Sequence, residues 1–247
     1  MSNCNILSTP MDVNCVFVKS KTKNYVSPDA PYQELIGSLM YLAMWTRPDI
    51  AYPASTLSQF NTNYTWEYWH AAKRILRYLK GTIEHCIVYK SSGKNIEGFV
   101  DASYAGKTYE RKSYSGYMFK LGSAATSWGS KKQRYTSLSS TEAEYVSLVC
   151  KEAMSLKGSY KELSGIDEIV TIYNGNQAAQ ELARNPVHHA KSKHIHVRHH
   201  FVRELVWEGK VKLEYMNTKE MIADMMTKAV PKSKLFFCVR GAGLNSV

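Results

Sequence analysis

The chain has 247 residues, 44% of them apolar and 12% aromatic, enough to bury the core of one large domain or of a medium domain with a helical attachment. Its formal charge of +11 points to a polyanionic partner, with nucleic acid ahead of an anionic membrane surface. Five scattered cysteines without a Cys-x-x-Cys pair argue against a disulfide framework or a cysteine zinc site. No apolar run reaches the ~20 residues that span a bilayer. The opening MSNCNILSTP lacks the pattern of a signal peptide, so an intracellular protein is expected.

Residues 1–31 read as irregular, with Pro10, Pro28 and Pro31 and few periodic apolar positions. Helical spacing begins at Tyr32, with Leu35, Leu39, Leu42 and Ala43 on one stripe, and Arg47-Pro48-Asp49 ends it. A second helix is predicted over Ile50–Phe60. A third spans His70–Leu79, with Lys73, Arg74 and Arg77 opposite its apolar face and Gly81 as its C-cap. That basic face is either a solvated surface or a phosphate-facing one.

Beyond Ser91-Ser92-Gly93-Lys94 the period changes to two. Strands are predicted at Ile96–Val100, Gly116–Leu121 and Ala124–Trp128. A long helix follows from Ser139 to about Leu163, then a buried strand at Ile169–Tyr173 and a helix at Asn176–Arg184. A helix at His194–Glu208, a strand at Val211–Tyr215 and a short helix at Met221–Ala229 complete the order. The result is one mixed α/β unit, not a doubly wound repeat.

Several groups can carry chemistry. Asp101 follows the first predicted strand, Glu142 and Glu144 open the long helix, and Asp224 lies in IADMMTK. Ser139 with Glu142, or Thr141 with Glu144, fits a capping box, which leaves one glutamate without a structural task. Carboxylates from distant segments are what a two-magnesium phosphodiester site requires. His196 and His200 have the i,i+4 spacing of a zinc pair, but no glutamate intervenes in His-Glu-x-x-His fashion. A basic hydrogen-bonding surface with Lys191, Lys193, Arg198 and Arg203 is the competing reading.

Taken together, NCNILSTPMD, ELIGSLMYLA, TRPDIAY, HAAKRILRYLKGT, FVDASYAG, RKSYSGY, SWGSKKQ, LSSTEAEY, NQAAQELARNPVHHAKSKHI, HHFVRE and IADMMTK resemble the C-terminal part of the Pol polyprotein of copia-type LTR retrotransposons. That part runs from the end of reverse transcriptase through ribonuclease H. The resemblance implies an α/β ribonuclease H-like mixed sheet flanked by helices, with a helical N-terminal attachment. It divides the chain into a reverse transcriptase remnant (1–92), a ribonuclease H-like domain (93–232) and a tail (233–247).

The family cuts the RNA strand of RNA–DNA hybrids by magnesium-dependent hydrolysis with four carboxylates. Three map onto Asp101, Glu144 and Asp224. The fourth should follow the strand Ile169–Tyr173, where Gly175 stands instead. Ser103 and Lys107 also replace acidic residues, and Tyr114 replaces a threonine. Hybrid contacts are expected at Lys131, Lys132, Arg134, Lys191, Lys193 and His194. Three functions are compatible with this pattern. They are a remnant with catalysis lost or crippled, a working magnesium-dependent hybrid ribonuclease, and a host-adopted nucleic-acid-binding or interaction module.

Overall fold

The computed structural model describes residues 3–17, 29–90, 95–103, 114–133, 138–175 and 193–246, with the backbone alone at 103, 138–148 and 193–199. The helices are α1 (Tyr32–Trp45), α2 (Ala51–Ser58), α3 (Trp66–Gly81), α4 (Leu138–Ser164), α5 (Lys193–Trp207) and α6 (Lys232–Gly241). The strands are β1 (His85–Ile87), β2 (Glu97–Ser103), β3 (Tyr114–Leu121), β4 (Ala124–Lys132), β5 (Val170–Asn174), β6 (Val211–Tyr215) and β7 (Leu244–Ser246). The helix predicted at Asn176–Arg184 lies outside the described residues. Among those residues, no helix is long and apolar enough to cross a membrane.

Five strands form the central sheet in the order β4-β3-β2-β5-β6. β2, β3 and β4 are antiparallel neighbours, while β5 runs parallel to β2 and β6 parallel to β5. Side chains alternate between the two faces, and each face has its own core. Ile96, Val100, Val170 and Ile172 pack against Val149, Cys150 and Ala153 of α4 and Val202 and Leu205 of α5. On the other face, Phe99, Met118 and Ala125 join α1, α2, α3, α6 and the segment Met221–Met226 in a second core.

The stripes read on α1 and α3 meet in this second core. Ile36, Leu39, Ile75 and Ala72 are all almost fully buried there. Each large aliphatic among them stabilises the layer by about 1.5–3 kcal/mol relative to exposure. The break at Thr46-Arg47-Pro48-Asp49 is a buried polar network as well as a helix stop. Arg47 donates to Asp49 through Nε at 3.0 Å and Nη2 at 2.8 Å, Tyr78 Oη donates to Asp49 Oδ2 at 2.6 Å, and Arg47 Nη1 reaches Thr82 O at 3.1 Å.

Four differences from the sequence reading stand out. α3 starts four residues earlier, at Trp66. Its basic face is partly tied down, because the segment 3–17 lies across part of it. Arg77 Nε donates to Asn5 O at 2.7 Å, Lys80 Nζ to Cys4 O at 2.9 Å, and Arg74 Nη2 to Thr9 Oγ1 at 3.0 Å. The stretch read as a tail instead forms α6, which buries Leu235, Cys238 and Val239, and then β7, which pairs antiparallel with β1. Finally, the helix predicted at Met221–Ala229 is a 3-10 turn over Ile222–Met226.

Candidate active site

β2 extends to Ser103, so Asp101 lies inside the strand, not after it. Alternation puts it on the face of Phe99, toward the second core. Its partner across the ladder is Gly116 of β3. A Cβ at Gly116 would lie 2.3 Å from Met226 Cβ and 2.8 Å from Thr227 Cγ2, far inside normal carbon contact. The missing side chain is what lets the 3-10 turn settle on the strand beside Asp101. On the far side of the turn, Gly241 of α6 is equally close, since a Cβ there would meet Ile222 Cγ2 at 2.6 Å.

This seating brings Asp224, which is almost fully buried, to Asp101. Thr227 Oγ1 donates a short hydrogen bond to Asp101 Oδ2. Lys228 Nζ lies 2.6 Å from Asp224 Oδ1 and 3.4 Å from Asp101 Oδ2, so one ammonium bridges both carboxylates. Lys234 Nζ approaches Asp224 Oδ2 at 3.3 Å. Asp224 Oδ1 is buried without a well-angled hydrogen bond, and its contact with Lys228 is one of charge.

The electrostatics follow from this packing. Burial raises the Asp224 carboxyl above the usual carboxylate range and the Asp101 charge adds to it, against the opposing pull of Lys228 and Lys234. For Lys228, burial acts to lower the pKa. The charges of Asp101 and Asp224, with the hydrogen bond to Asp101, outweigh burial and carry the pKa above its ordinary value.

Glu144 lies in the second turn of α4, which packs on the other face of the sheet, and its side chain is outside the described residues. Gly175 is placed by register. The parallel ladder of β2 and β5 pairs Phe99 with Tyr173 and Val100 with Asn174, so the next residue, Gly175, continues toward Asp101. The stacked rings of Phe99 and Tyr173, 5.2 Å apart, mark the face shared by that row. A Cβ at Gly175 would meet only Met216 O, at 3.9 Å.

Among the described residues no three metal-ligating side chains converge here, and the oxygen donors at this point are two carboxylates. Asp101 and Asp224 offer carboxylate oxygens, one of them buried without a hydrogen bond, around a point where Lys228 already supplies positive charge. Residue 175 adds no side-chain oxygen for a second ion.

The basic candidates divide. Lys131 is exposed on β4 opposite Ser115, one step along the ladder from Gly116–Ser130 and therefore at the Asp101 end of the sheet. Its neighbour Lys132 donates to Oε1 of Gln59, the residue that caps α2, at 2.6 Å. Arg134 and Lys191, and the side chains of Lys193, His194 and His196, lie outside the described residues. Sequence reasoning passed over Thr227, Lys228 and Lys234. The first two stand in the same motif as Asp224, and the i,i+4 spacing of Asp224 and Lys228 was the available signal.

No family model matches the chain. Over all of its length it is 38% identical to the retrovirus-related Pol polyprotein from transposon TNT 1-94 of Nicotiana tabacum, of which it covers 19%. It is 38% identical, over 83% of its length, to the Pol polyprotein from transposon RE2 of Arabidopsis thaliana, of which it covers 14%. The chain thus spans about a fifth or less of these relatives. Among solved structures, LC11-RNase H1 in complex with RNA/DNA hybrid superposes on 54% of this chain and 94% of its own, with 12% identity and a TM-score of 0.40. The sheet order and the pairing of β2 with β3 and β5 are those of a ribonuclease H-like fold, and the chain belongs to the Pol polyprotein family of copia-type retrotransposons.

Proposed function

We propose that this chain is a nucleic-acid-binding ribonuclease H-like unit whose cleavage of RNA in RNA–DNA hybrids is lost or severely reduced. The observation that carries this reading is Gly175. It follows β5 in the row of Asp101 and brings no oxygen to a position where the family has a carboxylate.

In this reading Asp101 and Asp224 would hold a magnesium ion, with Glu144 of α4 as the further carboxylate that the family resemblance assigns. When bound, the metal supplies an activated water and a counter-charge for the leaving oxygen. The chain's own contribution is positional. Gly116 admits the turn that carries Asp224, and Thr227 fixes the Asp101 carboxylate. Without a ligand at 175 the second cation has too few anionic partners, a deficit of several kcal/mol in the transition state, or ~10³-fold in rate.

Binding rests on different residues. Lys131, with Arg134 and the Lys191–His194 segment, would meet the hybrid backbone, recognising its shape and 2′-hydroxyls rather than its bases, and Lys132 would join them only by leaving Gln59. The affinity should then fall linearly with salt on a double-logarithmic scale. We place the ribonuclease H-like unit at 93–232 and the reverse transcriptase remnant at 1–92. The remnant serves as a covering layer for the sheet and not as an enzyme of its own.

The test is cleavage of a labelled hybrid with magnesium. The parent chain should be nearly inert. Gly175→Asp should raise cleavage well above it, and Asp101→Asn in that background should abolish the gain. Space is available for the new side chain, because the Cβ meets only Met216 O and Gly175 is not among the glycines with positive φ. Efficient cleavage by the parent would overturn the proposal.

A further inference from the structure

We propose that Lys228 is a built-in counter-cation: its ammonium occupies the position between Asp101 and Asp224 when no divalent ion is bound, and swings to solvent when one binds. The inference rests on the reading of these two carboxylates as metal-holding.

Three observations carry it. First, the bridging geometry is that of a shared cation, with Nζ 2.6 Å from Asp224 and 3.4 Å from Asp101. Two carboxylates brought together in a partly buried site repel each other and lose hydration, so the metal-free fold needs a positive charge there. Second, Asp224 Oδ1 meets that charge without a hydrogen bond of normal angle, although its side chain is only 3% exposed. This close ion pair is the contact that a divalent ion would have to replace.

Third, the two lysines around Asp224 differ in freedom. Lys234 is 18% exposed and is anchored by Thr218 O at 2.7 Å and Lys219 O at 2.8 Å. Lys228 is 41% exposed, and no backbone carbonyl among the described residues anchors its ammonium. Its flexible four-carbon stem gives the ammonium a route outward that the Lys234 ammonium lacks. Lys234 is thus part of the frame, and Lys228 is the exchangeable charge. A divalent ion must displace it, so the site gives up metal affinity in return for stability without metal.

The experiment compares the full chain with its Lys228→Met, Lys234→Met, Lys228→Arg and Asp101→Asn variants in the absence of nucleic acid. Mn²⁺ binding is followed by calorimetry, and the thermal midpoint is measured in chelator and in Mn²⁺. Lys228→Met should bind Mn²⁺ tighter by about tenfold or more. Its midpoint in chelator should fall by more than about 4 °C and recover when Mn²⁺ is added. Lys234→Met should lose stability without gaining affinity. If Lys228→Met does not fold in chelator, Lys228→Arg decides. It should fold like the parent and bind Mn²⁺ no tighter, and a tighter Lys228→Arg would overturn the idea. Unchanged Mn²⁺ affinity in Lys228→Met, with affinity still lost in Asp101→Asn, sinks the counter-cation but leaves the metal site. Insensitivity of both variants sinks the metal site as well.

Discussion

Replacing Gly116 by alanine tests the contact on which the site's geometry depends. The new methyl would sit 2.3 Å from Met226 Cβ, 2.8 Å from Thr227 Cγ2 and 3.1 Å from the Met226 carbonyl carbon. Restoring a normal carbon separation needs the turn to retreat by about 1 Å or more. Retreat is blocked behind it, where Ile222 already lies against Gly241 and Met225 and Met226 are buried. The loss should therefore fall near the upper end of overpacking, about 3 kcal/mol. Urea unfolding followed by tryptophan fluorescence reads it directly. At a slope of about 2 kcal/mol per molar, the midpoint should drop by roughly 1.5 M with the slope unchanged. Gly37→Ala is the matched control. Gly37 lies inside α1 with nothing within 4 Å of its would-be Cβ, so alanine there should stabilise by about 0.5–1 kcal/mol. A Gly116→Ala chain within about 0.5 kcal/mol of the parent would refute the close seating of the turn on β3.

Two further outcomes follow from other contacts. Asp49→Ala strands the buried Arg47 guanidinium and should cost about 3–5 kcal/mol in the same unfolding assay, whereas a loss typical of a surface pair would show that the network is solvated. Asp101→Asn removes the second cause of the raised Asp224 pKa but not burial, so the Asp224 carboxyl, followed by carbon-detected NMR, should titrate lower than in the parent yet still above its ordinary value. The sign for stability is fixed by the folded value lying above the unfolded one. Ionised Asp224 costs stability at neutral pH, the cost is relieved as pH falls through the raised value, and it is gone below the unfolded pKa.

Much of the central sheet was legible because its strands alternate cleanly, and Val211–Tyr215 matches residue for residue. Asp101 and Asp224 were legible as isolated carboxylates in two motifs. Lys228 was legible only through its i,i+4 spacing to Asp224, whereas its second partner, Asp101, lies on a strand 127 residues away in sequence, a distance no local period encodes. β1 and β7 have three residues each, too few for a period to register. α6 was missed for a different reason. Leu235, Cys238 and Val239 carry helical spacing directly after Pro231, a signal present in the sequence and passed over. The basic stripe of α3 misled because long cations also tie down backbone carbonyls, which leaves no mark in composition.

The placement of Asp224 explains why the N-terminal helices cannot be detached from the site. The 3-10 turn makes no strand pairing of its own, and its residues Met221, Ile222, Met225 and Met226 are buried in the core that Ile50, Leu57 and Ile75 also fill. Tyr114 reinforces the junction, since from the start of β3 its hydroxyl hydrogen-bonds Thr56 of α2 and Gln59, the residue that caps it. Asp101 is held by the sheet, whereas Asp224 is held by the layer that covers it. Any change that loosens α1–α3 from the sheet therefore acts on the distance between the two carboxylates before it acts on either one alone. A site divided between sheet and covering layer reports on their docking.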